Sequence, residues 1–217
     1  MKLKRLGAAL FIAMAAVLVL GVSGIHAETE IAKKFIEAFD ANDGARMTAI
    51  VEENKARIPA EVKALIKDAG KTANADEREA MFYMAEMMAR LYKDSTNDAA
   101  PLLEVKKKSF DARLTVPERP VPVDGVYIIE LPKPAQGVKN VFRPNNIVVK
   151  KGSTVRWVNK DDVAHIFSSM PVIGKGGISS PAVEPGKSWE RKFDQPGEYF
   201  YICFIHHAMV GKITVEE

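Results

Sequence analysis

The stretch Tyr199-Phe200-Tyr201-Ile202-Cys203-Phe204-Ile205-His206-His207-Ala208-Met209-Val210-Gly211-Lys212 decides the reading of the C-terminal half of this chain. Its first residues continue a β-branched and aromatic run from Glu198 to Cys203, and a second such run follows from Lys212 to Val215, so two strands are predicted with a loop between them. That loop places a thiol, an imidazole and a thioether within seven residues.

Upstream, the same grammar recurs at Val126 to Leu131, Ile147 to Lys150, Thr154 to Asn159 and Ser188 to Phe193, with turns marked by Pro185-Gly186 and Pro196-Gly197. Short strands at this spacing predict an antiparallel β-sandwich of about 90 to 100 residues.

Cys203 is the single cysteine of 217 residues, so an internal disulfide is excluded and the thiol is buried, shared between chains or bound to a metal. One thiolate and two imidazoles, with a weak and distant thioether, form the ligand set of an electron-transfer copper site. Of the four histidines, His26 lies in the N-terminal leader and His206 and His207 lie in the loop, which leaves His165 as the second imidazole. It follows the strand Val155-Arg156-Trp157-Val158-Asn159, in Asp161-Asp162-Val163-Ala164-His165. The expected metal ligands are therefore His165, Cys203, His206 and Met209. Met209 has a second reading as a cap on the core, and His207 is an alternative ligand in a Cys-x-x-x-His spacing.

With Val155 to His165, Pro185-Gly186, Pro196-Gly197-Glu198-Tyr199 and the run Cys203-x-x-His206-x-x-Met209-x-Gly211-Lys212, residues from about 126 to 217 resemble the plastocyanin and amicyanin branch of the cupredoxins. The short loop spacing is most like amicyanin. The resemblance implies a Greek-key sandwich and one blue copper ion cycling between Cu(I) and Cu(II). It also implies an electron port at His206 ringed by apolar surface, for which Phe204, Ile205, Ala208, Met170 and Ile173 are candidates. Two positions depart from the family: Ile166 stands where a polar residue often follows the upstream histidine, and Phe204 where Ser or Thr often follows the cysteine. His207 replaces a common proline.

The N-terminal part reads differently. Lys2, Lys4 and Arg5 precede an apolar run from Leu6 to about Val22, and Ala27 offers a cleavage point, as in an export signal over residues 1–27. Retention of the run as a membrane tether is the alternative. Without those three cations the chain carries 28 basic and 28 acidic residues, which gives no support to nucleic-acid binding. Residues 28–115 show helical periodicity and predict a small helical domain of three to five helices. Breaks are expected at Asn42-Asp43-Gly44 and Gly70, and starts at Asn74 and at Asn97 or Asp98. Met81, Met84, Met87 and Met88 form a stripe that reads as a core face rather than a Cu(I) site. Pro117, Pro120 and Pro122 mark residues 116–125 as a linker, leaving 126–217 as the copper domain.

The expected whole is a two-domain α+β chain acting as an exported, periplasmic electron carrier. Its partner is a redox protein such as a cytochrome or an oxidoreductase. Copper transfer in metal homeostasis is the competing function. Catalysis by this chain alone is not expected, because no histidines remain for a second, substrate-reducing copper.

Overall fold

The computed structural model describes residues 29–206 and 208–217, so the leader expected over residues 1–27 and the alternative ligand His207 lie outside the described residues. The chain divides into two compact units, Met1–Ser109 and Phe110–Glu217.

In the first unit, apolar residues at helical spacing produce α1 (Glu30–Asp40), α2 (Gly44–Glu53), α3 (Ile58–Ala69), α4 (Ala75–Thr96) and α5 (Ala100–Asp111), whose last two residues count with the second unit. The helix starts are held by the short polar side chains before them. Asp43 accepts from the Arg46 N–H at 2.9 Å, Asn74 from those of Asp76 and Glu77 at 3.0 and 3.2 Å, and Asp98 from that of Ala100 at 2.9 Å. Met81, Met84, Met87 and Met88 are all buried in one core with Phe35, Ile58, Val62 and Leu65.

The second unit is a two-sheet sandwich of β1 (Val126–Pro132), β2 (Asn146–Lys150), β3 (Ser153–Lys160), β4 (Phe167–Ser169), β5 (Ser188–Phe193), β6 (Gly197–Cys203) and β7 (Val210–Glu216). One sheet runs β1-β3-β5 and the other β2-β7-β6-β4. Within the expected sandwich the sheets are mixed, since β1 pairs with β3 and β2 with β7 in parallel. Successive strands β1, β2 and β3 alternate between the two sheets, and this crossing brings β1 alongside β3 in the same direction. Trp157 of β3 is fully buried between the two sheets, with Phe167, Trp189 and Tyr201 at ring separations of 5.2, 5.2 and 5.6 Å. Strand β4 was not expected from the sequence, because three residues are too few to show a period.

The boundary between units falls at Ser109/Phe110, ahead of the proline-rich segment assigned as a linker. That segment is not a free connector. Glu118, between Pro117 and Pro120, keeps its N–H, which donates to the Asn146 carbonyl at 3.0 Å, and its own carbonyl accepts from the Val148 N–H at 2.8 Å. The segment thereby covers the open edge of β2.

Candidate metal centre

The site grows from the inward alternation of two strands. Along β3 the buried positions are Val155, Trp157 and Asn159, so a polar side chain takes the last core position. Asn159 is fully buried, and its amide donates to the carbonyls of Val163 and Val183, both at 2.8 Å, folding the chain back over the strand end. His165 then exchanges two backbone hydrogen bonds with Val183, at 2.8 and 3.1 Å, which holds the histidine inside the sandwich at zero exposure.

Along β6 the inward positions are Tyr199, Tyr201 and Cys203, again at period two, and Cys203 is fully buried directly opposite Phe167 of β4. The loop beyond it closes tightly. The Cys203 N–H donates to the Met209 carbonyl at 3.0 Å and the Met209 N–H to the His206 carbonyl at 2.8 Å. His206 is half-buried, whereas Met209 is fully buried. The two departures noted in the sequence do not leave the ligand loops untied, because the Phe204 N–H donates to the Ile166 carbonyl at 2.8 Å.

His165, Cys203 and His206 converge. Cys203 Sγ lies 3.8 Å from Nδ1 of His165 and 3.8 Å from Nδ1 of His206, and the two Nδ1 atoms are 3.2 Å apart. These are the His, Cys, Asp and Glu side chains that cluster as metal donors among the described residues. The fourth expected residue, Met209, joins them through the backbone of the same loop.

A carboxylate that the sequence reading passed over sets the state of the site. Asp161 is buried, and its Oδ2 lies 3.1 Å from His165 Nε2. Opposite a carboxylate that nitrogen carries the proton, which leaves Nδ1 as a lone pair directed at Cys203 and His206. Burial disfavours the imidazolium of His165 and lowers its pKa; the Asp161 hydrogen bond opposes this and the nearby His206 adds to it. The carboxylate is itself held, at Oδ1 by the Asp162 N–H at 2.8 Å and at Oδ2 by the Asn140 amide at 2.7 Å. Asp161 lies four residues before His165, a spacing that by itself does not distinguish it from a surface aspartate.

The model of the copper-binding proteins of the plastocyanin/azurin family matches residues 133–216. Amicyanin-alpha of Methylorubrum extorquens is 35% identical over 80 residues, 36% of this chain and 66% of that protein, so the chain spans just under two thirds of its length. Plastocyanin of Scenedesmus fuscus is 35% identical over 85 residues, 35% of this chain and 87% of the relative. The chain belongs to the plastocyanin/azurin family. Among solved structures, a purple cupredoxin from Nitrosopumilus maritimus is 33% identical, covers 42% of this chain and 99% of its own, and superposes with a TM-score of 0.38.

The donor set fits the family's cofactor, copper. A point equidistant from the three donor atoms lies about 2.1 Å from each, the circumradius of a triangle with sides of 3.8, 3.8 and 3.2 Å, and nitrogen and sulfur donors hold a first-row metal such as zinc at about 2.0 to 2.3 Å. Two imidazole nitrogens 3.2 Å apart would repel as bare lone pairs, and a cation between them removes that repulsion. His165, Cys203 and His206 would hold the ion, with Met209 as the expected fourth donor. When bound, copper supplies a one-electron couple: thiolate and thioether are soft donors suited to Cu(I), and imidazole suits both oxidation states. The chain does the rest. The Asp161 carboxylate fixes the ring of His165, the Phe204–Ile166 and Cys203–Met209 backbone bonds hold the two loops, and the packed aromatics around Cys203 exclude water.

Proposed function

We propose that this protein is an exported single-electron carrier of the type 1 copper class. The observation that carries the reading is the convergence of one thiolate and two Nδ1 atoms, two of the three donor residues fully buried, at an end of the sandwich whose adjoining loop is apolar and open. Burial of Cys203 and His165 keeps small oxidants and competing ligands out, while the partly exposed His206 offers an edge through which an electron can pass. Around it Phe204 is 57% exposed and Ile205 49%, a surface suited to transient docking of a redox protein. Met170 and Ile173, also expected on that surface, pack instead against the separate cluster of Phe110, Phe200 and Val210. Export is supported by Lys2, Lys4, Arg5 and the apolar run after them. Mass measurement of the protein from fractionated cells tests it: a chain beginning near Glu28 outside the cytoplasm supports cleavage and export, and an intact N-terminus in the membrane fraction supports the tether.

The deciding experiment is the visible spectrum of the purified protein with Cu(II), beside that of Cys203→Ala. An intense thiolate-to-copper band that disappears in the variant and bleaches reversibly on reduction supports the carrier. A colourless protein that takes up only Cu(I) overturns it in favour of copper transfer. The docking surface is tested by Phe204→Ser, which should leave the spectrum unchanged and slow electron exchange with a partner cytochrome.

A further inference from the structure

The connection between β1 and β2, residues 133–145, reaches the metal centre from outside the segments that carry its ligands. It is pinned by Arg143, which exchanges backbone hydrogen bonds with Glu130 of β1 at 2.7 and 2.8 Å. Two side chains from it then cross to the turn after β3. Lys133 pairs with Asp162 at 2.6 Å, and the Asn140 amide donates to Asp161 Oδ2 at 2.7 Å.

These two links are physically unlike. The Lys133 and Asp162 side chains are 63% and 62% exposed, so water and salt screen their attraction and little depends on it. Asp161 has a side chain only 1% exposed, and the oxygen that Asn140 contacts is the same one that faces His165 Nε2. Water cannot readily replace a donor lost at that depth, so a buried carboxylate that loses one of its anchors is destabilised and its oxygen is no longer fixed in the position that faces the ring.

We propose that Asn140 is a positioning residue of the metal centre: by anchoring Asp161 Oδ2 it holds the imidazole of His165 with Nε2 protonated and Nδ1 presented to Cys203 and His206. The consequence for copper rests on the carrier reading above; the consequence for the ring does not. Partners in the shell behind a metal ligand typically change affinity ten- to a hundredfold when removed.

The test compares Asn140→Ala with Lys133→Ala in the full chain. In the copper-free protein, nitrogen-15 NMR of the imidazoles should show the His165 Nε2 proton exchanging with water faster in Asn140→Ala and unchanged in Lys133→Ala. In the copper-loaded protein, competition titration should show the Cu(II) dissociation constant rising about tenfold or more in Asn140→Ala alone. Equal exchange rates and equal dissociation constants in all three proteins would overturn the proposal. If Asn140→Ala does not fold, Asn140→Ser is read by the same two measurements and must also exchange faster than the wild type. A wild type that fails to bind copper defeats the carrier reading, and the copper-free measurement still decides the role of Asn140.

Discussion

Single side chains at this centre are placed to serve both packing and ligation, and Met209 lets the two be separated. It is fully buried, so Met209→Ala should lower the stability of the copper-free protein by about 2 to 5 kcal/mol in urea unfolding. Met209→Leu keeps the volume and should stay within about 1.5 kcal/mol of wild type. If the thioether is the axial donor, Met209→Leu also shifts the visible spectrum of the copper form; an unchanged spectrum would leave Met209 as a core residue only. The donor types were legible in the sequence because a lone cysteine, few histidines and a tight loop left few combinations. Asn140 was not legible, because an amide 21 residues from Asp161 acquires meaning only when the chain brings the two together.

Strands and helices impose their own constraints, which substitution can expose. Gly211 of β7 is paired directly with Tyr201 of β6, and a methyl group at 211 would overlap the fully buried Tyr201 ring and hydroxyl. The ring cannot move aside in a packed core, so Gly211→Ala should cost about 1 to 3 kcal/mol, measured by the urea midpoint. In the helical unit, Glu86 of α4 pairs with Arg90 on its own helix at 2.5 Å and with Lys106 of α5 at 3.0 Å. Burial pushes the Glu86 carboxyl upward, but hydrogen bonds and charge from Lys106 and Arg90 outweigh it and its pKa is lowered. A carboxyl depressed in the folded state stabilises it above the ordinary carboxylate range, and that contribution disappears as pH falls through the folded value. Unfolding of the helical unit should therefore lose more stability between pH 7 and pH 3 in wild type than in Glu86→Gln. Six of the strands were legible from their alternation and turns. The parallel pairings were not, because a strand's pattern shows which face is buried but not which neighbour lies beside it.

Across the whole molecule, each unit has its own buried core: Phe35, Leu65 and Met84 in the first, Trp157, Phe167 and Tyr201 in the second. The candidate metal donors belong to the second. A ligand that binds only the folded form stabilises it by about 2.7 kcal/mol at a hundred times its dissociation constant. Calorimetry with saturating copper should raise the transition of the sandwich, and Cys203→Ala should abolish that rise while leaving the copper-free trace of the helical unit unchanged. The sequence by itself determined the class of each half, the turn positions and the candidate donor residues, because helical and strand periodicity are local and donor chemistry belongs to residue types. Only the tertiary structure decided that His165 meets Cys203 and His206 at Nδ1 and that Asp161 and Asn140 stand behind it. It also decided that the proline-rich segment covers a sheet edge. His165 and Cys203, Asn140 and Asp161, and Glu118 and Ile147 are far apart in the chain, so packing sets their distances and no local pattern encodes them; Asp161 is near His165 in sequence, but only its burial sets it apart from a surface aspartate.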